Sequence, residues 1–125
     1  MSTNFGGLKL LTVEAGQTKS NFISHREMQD AYAVGLLGLS SQDSKTLTIE
    51  VSKDLLSSPD DEPTNWFTLQ DGETLVDVAV PAQGKAAAYP QLSVFSAFRI
   101  AINSSSSGDI TVQACKSHYA PRGLF

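Results

Sequence analysis

An all-β fold, a single antiparallel sandwich or a barrel, is what this sequence predicts, and three observations lead to it. Short segments in which apolar and polar residues alternate recur along the chain at a spacing of roughly ten residues. Turn-forming stretches such as Ala15-Gly16-Gln17, Asp71-Gly72 and the serine-glycine run from Ser104 to Asp109 fall between them. Only one stretch, beginning at Ser24, carries a helix signal, and it is short. Roughly seven to nine short strands separated by turn chemistry must bury their apolar faces against one another, and a sandwich or a barrel does that.

The elements follow in order. Met1 to Gly7 is polar and ends in Gly6-Gly7, so it reads as a flexible arm. Leu8 to Glu14 is the first strand, and Asn21 to Ser24 a short second one. Ser24 and Glu27 have capping-box spacing, in which the serine accepts an orphan backbone N–H and the glutamate bonds back. A short turn of helix over His25 to Ala31 and a continued extended chain are the two readings of that segment. Ala31 to Leu37 is a strand. Thr46 to Ser52 alternates most sharply: Leu47, Ile49 and Val51 belong in the core, Thr48, Glu50 and Ser52 in water. Leu55 to Pro63 is a polar loop and Trp66 to Leu69 a short strand. Asp71-Gly72 is a hairpin turn, after which Thr74 to Val80 alternates again. Pro81 to Pro90 is a loop, with Tyr89 as its exposed aromatic. Leu92 to Phe95 pairs briefly, and Ala97 to Asn103 lines up Phe98, Ile100 and Ile102 on one face. Ile110 to Ala114 is the last strand, and Lys116 to Phe125, with Pro121 and Gly123, is an irregular tail. The expected organisation is an arm (1–7), a sandwich domain (8–115) and a tail (116–125).

Composition narrows the function. The chain has 125 residues, one domain's worth, and its 41% hydrophobic content suffices for a single core. A formal net charge of -4 argues against broad binding to a phosphate backbone, which needs clustered Lys and Arg, so no nucleic-acid partner is expected. Its apolar runs are far shorter than a bilayer span, so no membrane partner is expected either. Cys115 is the single cysteine, which leaves no intrachain disulfide, and Met1 to Asn4 lacks the character of a signal peptide. Folding in a reducing cytosol is the expectation.

The motifs that resemble chemistry are incomplete. Gly16 to Ser20 ends in Lys-Ser like a phosphate-binding loop, but Thr18 stands where the loop needs glycine. Gly38-Leu39-Ser40-Ser41-Gln42 starts like a nucleophile elbow and lacks its closing glycine. His25 and His118 are the only histidines and are far apart in sequence, and with one cysteine they give no zinc spacing. Asp60-Asp61-Glu62 lacks the alternating ligands of a calcium loop and reads as a solvated acidic loop. Asn103-Ser104-Ser105 matches a glycosylation sequon, which without secretion is only a polar hairpin tip. Cys115 reads as a small buried apolar residue. Trp66, Phe67, Phe95 and Phe98 are assigned to the core rather than to a sugar-stacking platform. No catalytic residues, metal or cofactor are expected, and a binding protein rather than an enzyme is the outcome.

A set of segments carries a family resemblance: Thr46 to Asp54 (TLTIEVSKD), Trp66-Phe67-Thr68-Leu69, Asp71-Gly72-Glu73 and Phe95-Ser96-Ala97-Phe98-Arg99-Ile100. Their order resembles that of small virion proteins of tailed bacteriophages, and the likeness runs from about Leu8 to Ala114. The resemblance implies a single antiparallel β-sandwich of jelly-roll-like type that decorates the capsid exterior, binds the major capsid protein and forms a homo-oligomer, with a trimer favoured. It implies assembly in the host cytoplasm and residence on the virion surface. A tail, collar or fibre component and a carbohydrate-binding sandwich module are the alternatives. The candidate partner contacts are Phe5 in the arm, Tyr119, Arg122 and Phe125 in the tail, and Arg99. Arg99 lies between Phe98 and Ile100, so alternation turns it away from the core, toward an acid on a neighbouring strand or subunit.

Overall fold

A computed structural model describes residues 5–24, 26–28, 33–40, 45–54 and 61–117. The strands are β1 (Phe5–Val13), β2 (Lys19–Ser24), β3 (Ala33–Gly38), β4 (Leu47–Ser52), β5 (Phe67–Thr68), β6 (Ala86–Ala88), β7 (Ala97–Ile102) and β8 (Ile110–Ser117). They form two four-stranded antiparallel sheets, ordered β1-β8-β3-β6 and β2-β7-β4-β5. First pairs with last, second with seventh, third with sixth and fourth with fifth. The chain is thus one long hairpin folded over on itself, stitched by β3–β8 and β4–β7, which is jelly-roll connectivity.

The core lies between the sheets and is built by two-residue alternation. Leu11 and Val13 from β1, Val34 and Leu36 from β3, and Ile110, Val112 and Ala114 from β8 face Ile23, Leu47, Ile49, Val51, Phe98, Ile100 and Ile102 from the other sheet. The expected inward set of β4 is therefore inward, with Thr48 and Glu50 on the opposite side. Ser52 departs from the expectation: its side chain is fully covered, because its hydroxyl accepts the Asp54 N–H (3.1 Å) while Ser96 donates to its carbonyl (2.9 Å).

Several boundaries differ from the sequence reading. The arm is shorter than 1–7, since Phe5, Gly6 and Gly7 pair with Ser117, Lys116 and Cys115. The same pairing, with Val34 opposite Lys116, carries β8 past the expected domain end into Lys116 and Ser117. Ala86–Ala88 is a strand where a loop was expected, because β3 offers backbone partners opposite Gly35, Leu36 and Leu37. Leu92 to Phe95 does not pair; Pro90–Val94 is a 3-10 turn with Pro at its start. Tyr89, expected exposed, is buried and donates its hydroxyl to the Ala79 carbonyl oxygen at 2.7 Å. Burial pushes its phenol pKa above the ordinary value.

The capping box forms as read. The Glu27 carboxylate accepts the Ser24 N–H (3.1 Å), and the Ser24 hydroxyl oxygen accepts the Glu27 N–H (3.4 Å). Arg26 to Met28 make one turn, and the rest of the segment expected as helix or extended chain, including His25, is outside the described residues. Two further details fix the ends of the sheets. Asn21 on β2 accepts the Thr12 N–H (2.8 Å) and donates to the Leu10 carbonyl (2.9 Å), so its amide stands in for a neighbouring strand at the edge of β1. Gly38 is crossed by the chain at Pro81-Ala82; a Cβ there would sit 2.2 Å from the Ala82 carbonyl oxygen.

Candidate functional site

The two outer faces of the sandwich have opposite chemistry. On the β2-β7-β4-β5 sheet, Phe22, Arg99, Glu50 and Thr68 lie side by side in register across all four strands. The Arg99 Nε–H donates to Glu50 Oε1 at 2.8 Å, and Lys19 Nζ to Glu50 Oε2 at 2.7 Å. The Arg99 guanidinium lies 4.1 Å from the centroid of the Trp66 ring, and Trp66 in turn meets Phe22 at 6.3 Å. Lys9 Nζ sits 5.5 Å from the Phe22 ring and bonds Glu27 at 3.1 Å. Arg99 and Glu50 side chains are only 16% and 13% exposed, so their charges are partly desolvated and the pair is worth more than a surface bridge. Burial by itself pushes the Glu50 carboxyl pKa up. The hydrogen bonds and charges of Lys19 and Arg99 outweigh it, and the net shift is downward.

Trp66 is held in place from behind. The Asp54 carboxylate accepts the N–H groups of Asn65 (3.0 Å) and Thr64 (2.8 Å), as well as the Asn65 side-chain amide (3.1 Å). These bonds stabilise its charged form and lower its pKa. The Trp66 indole N–H donates to the Pro63 carbonyl at 3.1 Å. Its ring is therefore committed to Arg99 and Phe22, outside the core to which sequence assigned it. Phe98 is in the core, Phe95 packs against it, and Phe67 is exposed.

The outer face of the β1-β8-β3-β6 sheet is uncharged. One row across it reads Leu10, Gln113, Leu37, Ala86, and the next reads Cys115, Gly35, Ala88 beside Gly7. Thr12 and Thr111 continue it, and Leu39, whose N–H donates to the Thr111 carbonyl at 3.2 Å, completes it. Leu10, Leu37 and Leu39 are 43%, 37% and 48% exposed. Cys115, expected to be buried, is half-buried on this outer side, its thiol 3.7 Å from the Gly35 carbonyl oxygen. The outward strand positions carry no ionised group, Glu14 and Lys19 lie beyond Leu10 and Thr12 at the rim, and the three leucines form a surface that water solvates poorly and another protein surface covers well.

A third feature interrupts the β5 edge. The Leu69 N–H donates to the Ile49 carbonyl at 2.8 Å, and the next residue along β4, Thr48, bridges Ala79. Residues 70–78 lie between these points as an inserted hairpin. Gln70 bridges Asp77, the Asp71 N–H donates to the Val76 carbonyl (2.8 Å), and the Val78 N–H to the Leu69 carbonyl (3.0 Å). This hairpin replaces the continuous strand expected over Thr74 to Val80. The Asp71 carboxylate accepts the Thr74 and Glu73 N–H groups, which bends the chain and lowers the Asp71 pKa. Leu75 follows in the left-handed region (φ 56°), breaking the alternation.

Of the residues singled out from sequence, Arg99 is placed on an outer face and paired with an acid on the neighbouring strand. Phe5 lies at the first position of β1, opposite Ser117. Tyr119, Arg122 and Phe125 are outside the described residues. Leu10, Leu37 and Leu39 were missed, although a leucine at an outward strand position is a local signal. Among the described residues no group of three His, Cys, Asp or Glu gathers to hold a metal ion. No protein-family model, no curated protein and no solved structure matches the chain.

Proposed function

We propose that this protein is a structural component of a tailed-phage particle that binds the capsid exterior as a decoration protein, without catalytic activity. One observation carries the reading: a jelly-roll sandwich whose β1-β8-β3-β6 sheet turns outward an uncharged face with Leu10, Leu37 and Leu39 exposed. Jelly rolls are an architecture of viral capsid proteins, and an apolar sheet face of this kind fits packing against protein rather than a small ligand. The other face supports a rigid subunit, because its cations and aromatics are bound to one another. The partner is the major capsid protein, and the protein works as a homo-oligomer on the virion surface after assembly in the host cytoplasm. Each contact is weak, and an oligomer that engages several capsid sites holds firmly because later contacts form at high effective concentration. Phe5 at the start of β1 and Tyr119, Arg122 and Phe125 in the tail add contacts to neighbours.

Co-sedimentation with capsids stripped of minor proteins tests this reading. The intact protein is expected to pellet with the particles at a copy number set by the capsid lattice. The Leu10→Asp, Leu37→Asp double variant is expected to remain folded and to lose binding. A copy number matching a tail ring, or no binding by the intact protein, refutes the capsid assignment.

A further inference from the structure

We propose that two copies of this chain pair edge to edge through β6, antiparallel and about a twofold axis at Ala87, so that two four-stranded sheets become one of eight. Of the sheet edges, β1 and β2 are tied to each other through Asn21, and β5 gives way to the inserted hairpin. Among the described residues, β6 has no strand on its outer side. Hydrogen bonds at its two ends show which backbone groups it offers. The Gly38 N–H donates to the Lys85 carbonyl (3.0 Å) and the Tyr89 N–H to the Val34 carbonyl (2.7 Å), two residues to either side of Ala87. An antiparallel ladder alternates, so Lys85, Ala87 and Tyr89 turn their peptide groups to β3, and Ala86 and Ala88 turn theirs to the open side. Edge groups of this kind are a template for another strand.

The ends of β6 select a second copy as the occupant. Gly84 has a left-handed φ of 78° and gives its N–H to the Gly38 carbonyl (2.9 Å), while Pro90 has no N–H. A long strand from another protein would run past both ends onto backbone that cannot complete the ladder. A second β6 stops at the same two places. With Ala86 opposite the second copy's Ala88, the next outward positions are Gly84 and Pro90, and neither presents a free N–H. The side chains along the strand are all methyl groups, so two such edges close without steric adjustment. Charge permits a like copy as well. From Val78 to Phe98 the single ionised residue is Lys85. In this register Lys85 lies opposite Tyr89 of the second copy, so the two lysines are about 13 Å apart at about 3.3 Å per residue, beyond the screening length of about 8 Å in physiological salt. Glu14 and Lys19 lie beyond β1, at the opposite edge of the sheet, and Asp71, Glu73 and Asp77 belong to the hairpin of the other sheet.

The pairing covers an edge and leaves the outer face free. Opposed residues of an antiparallel pair point to one side, so the row that ends in Leu37 and Ala86 runs on into Ala88 and Gly35 of the second copy. Both uncharged faces then look the same way, and a capsid surface meets two footprints at once. The inference rests on the capsid-binding reading for that role alone, and it makes the homo-oligomer a twofold pair in place of the trimer that the resemblance implies.

The test uses the full chain at rising concentration, because so short an edge makes a small and weak contact. Sedimentation equilibrium is expected to pass from the mass of one chain to that of two as concentration increases. Ala86→Pro removes a donor that faces the open side and leaves the bonds to β3 in place. It is expected to stay at the mass of one chain throughout, with its melting temperature little changed. A crosslink reads the register, and it decides alone if the proline variant does not fold. In a Cys115→Ser background, Ala86→Cys mixed with Ala88→Cys is expected to form a disulfide-linked dimer, since opposed residues lie about 5.5 Å apart at Cα. Either variant alone is expected to crosslink several-fold less. A parent protein that keeps the mass of one chain up to its solubility limit overturns the inference. So does a folded Ala86→Pro variant that still dimerises, or an Ala86→Cys variant that crosslinks to itself as readily as to Ala88→Cys. Failure is separable from failure of the capsid reading: a strict monomer that co-sediments with capsids sinks only the edge pairing. A dimer with the expected crosslink that ignores capsids supports the pairing and sinks only the capsid role.

Discussion

Replacing Arg99 with alanine removes the guanidinium stacked on Trp66 and leaves Glu50 bonded to Lys19 alone. Breaking a fully buried ion pair costs about 3–5 kcal/mol and a surface pair about 0–1 kcal/mol. With Arg99 16% exposed, Glu50 13% exposed and Lys19 still in place, a value of about 1–2 kcal/mol follows for the pair. The lost stacking on Trp66 at 4.1 Å adds about 1 kcal/mol, for a total of about 2–3 kcal/mol. For 125 residues the unfolding entropy is about 0.26 kcal/mol/K, so the melting temperature should drop by about 8–12 °C. The effect has a defined pH dependence. Glu50 has a folded pKa below its ordinary value, so its contribution is present above the unfolded pKa of about 4.3 and is lost as pH falls through the lower folded value. Urea unfolding of the parent, Arg99→Ala, Glu50→Gln and the double variant at pH 7 and at pH 3 measures both quantities. The coupling energy between the two positions is expected near 1 kcal/mol at pH 7 and smaller at pH 3. An Arg99→Ala variant within about 0.5 kcal/mol of the parent would show a solvated arginine and refute the reasoning.

Gly38→Ala pushes a methyl group against the Pro81-Ala82 backbone and should destabilise by about 1–3 kcal/mol, whereas Gly72→Ala, with open space around its Cβ, should stay within about 0.5 kcal/mol; equal melting temperatures would show that the crossing gives way. Ile49→Asp puts an unpaired charge into the centre of the core and should abolish the cooperative unfolding transition, while Thr48→Asp on the outer side should cost less than about 1 kcal/mol. Circular dichroism melts separate them, and the reverse order would mean the register is wrong. Asn21→Ala uncovers the Thr12 N–H and the Leu10 carbonyl at the edge of β1; a loss of about 1 kcal/mol and increased light scattering on warming are expected, and unchanged scattering would remove Asn21's role as an edge guard.

The alternation of side chains along a strand is local, and one buried face per sheet writes itself directly into residue order. That is why Leu47, Ile49 and Val51, or Phe98, Ile100 and Ile102, were legible as core and Arg99 as outward-facing before any tertiary information. The capping box at Ser24 and Glu27 was legible for the same reason, since its partners are three residues apart. The Asp71 turn was legible too, but its consequence was not: capture of the Glu73 and Thr74 N–H groups and the left-handed Leu75 overrode the alternation of Thr74 to Val80.

What tertiary structure alone decided concerns groups far apart in sequence. Phe5 to Gly7 and Ala86 to Ala88 carry weak strand signals of their own and became strands because β8 and β3 supplied backbone partners. Tyr89 is buried because a carbonyl at Ala79 can accept its hydroxyl. The stacking of Trp66 on Arg99, and the acid that pairs with it, depended on which strands became neighbours. The uncharged face draws on four strands, each contributing one or two ordinary residues. No segment of sequence contains that face; the strand order β1-β8-β3-β6 assembles it, because burying one side of every strand leaves the composition of the other side to the pairing.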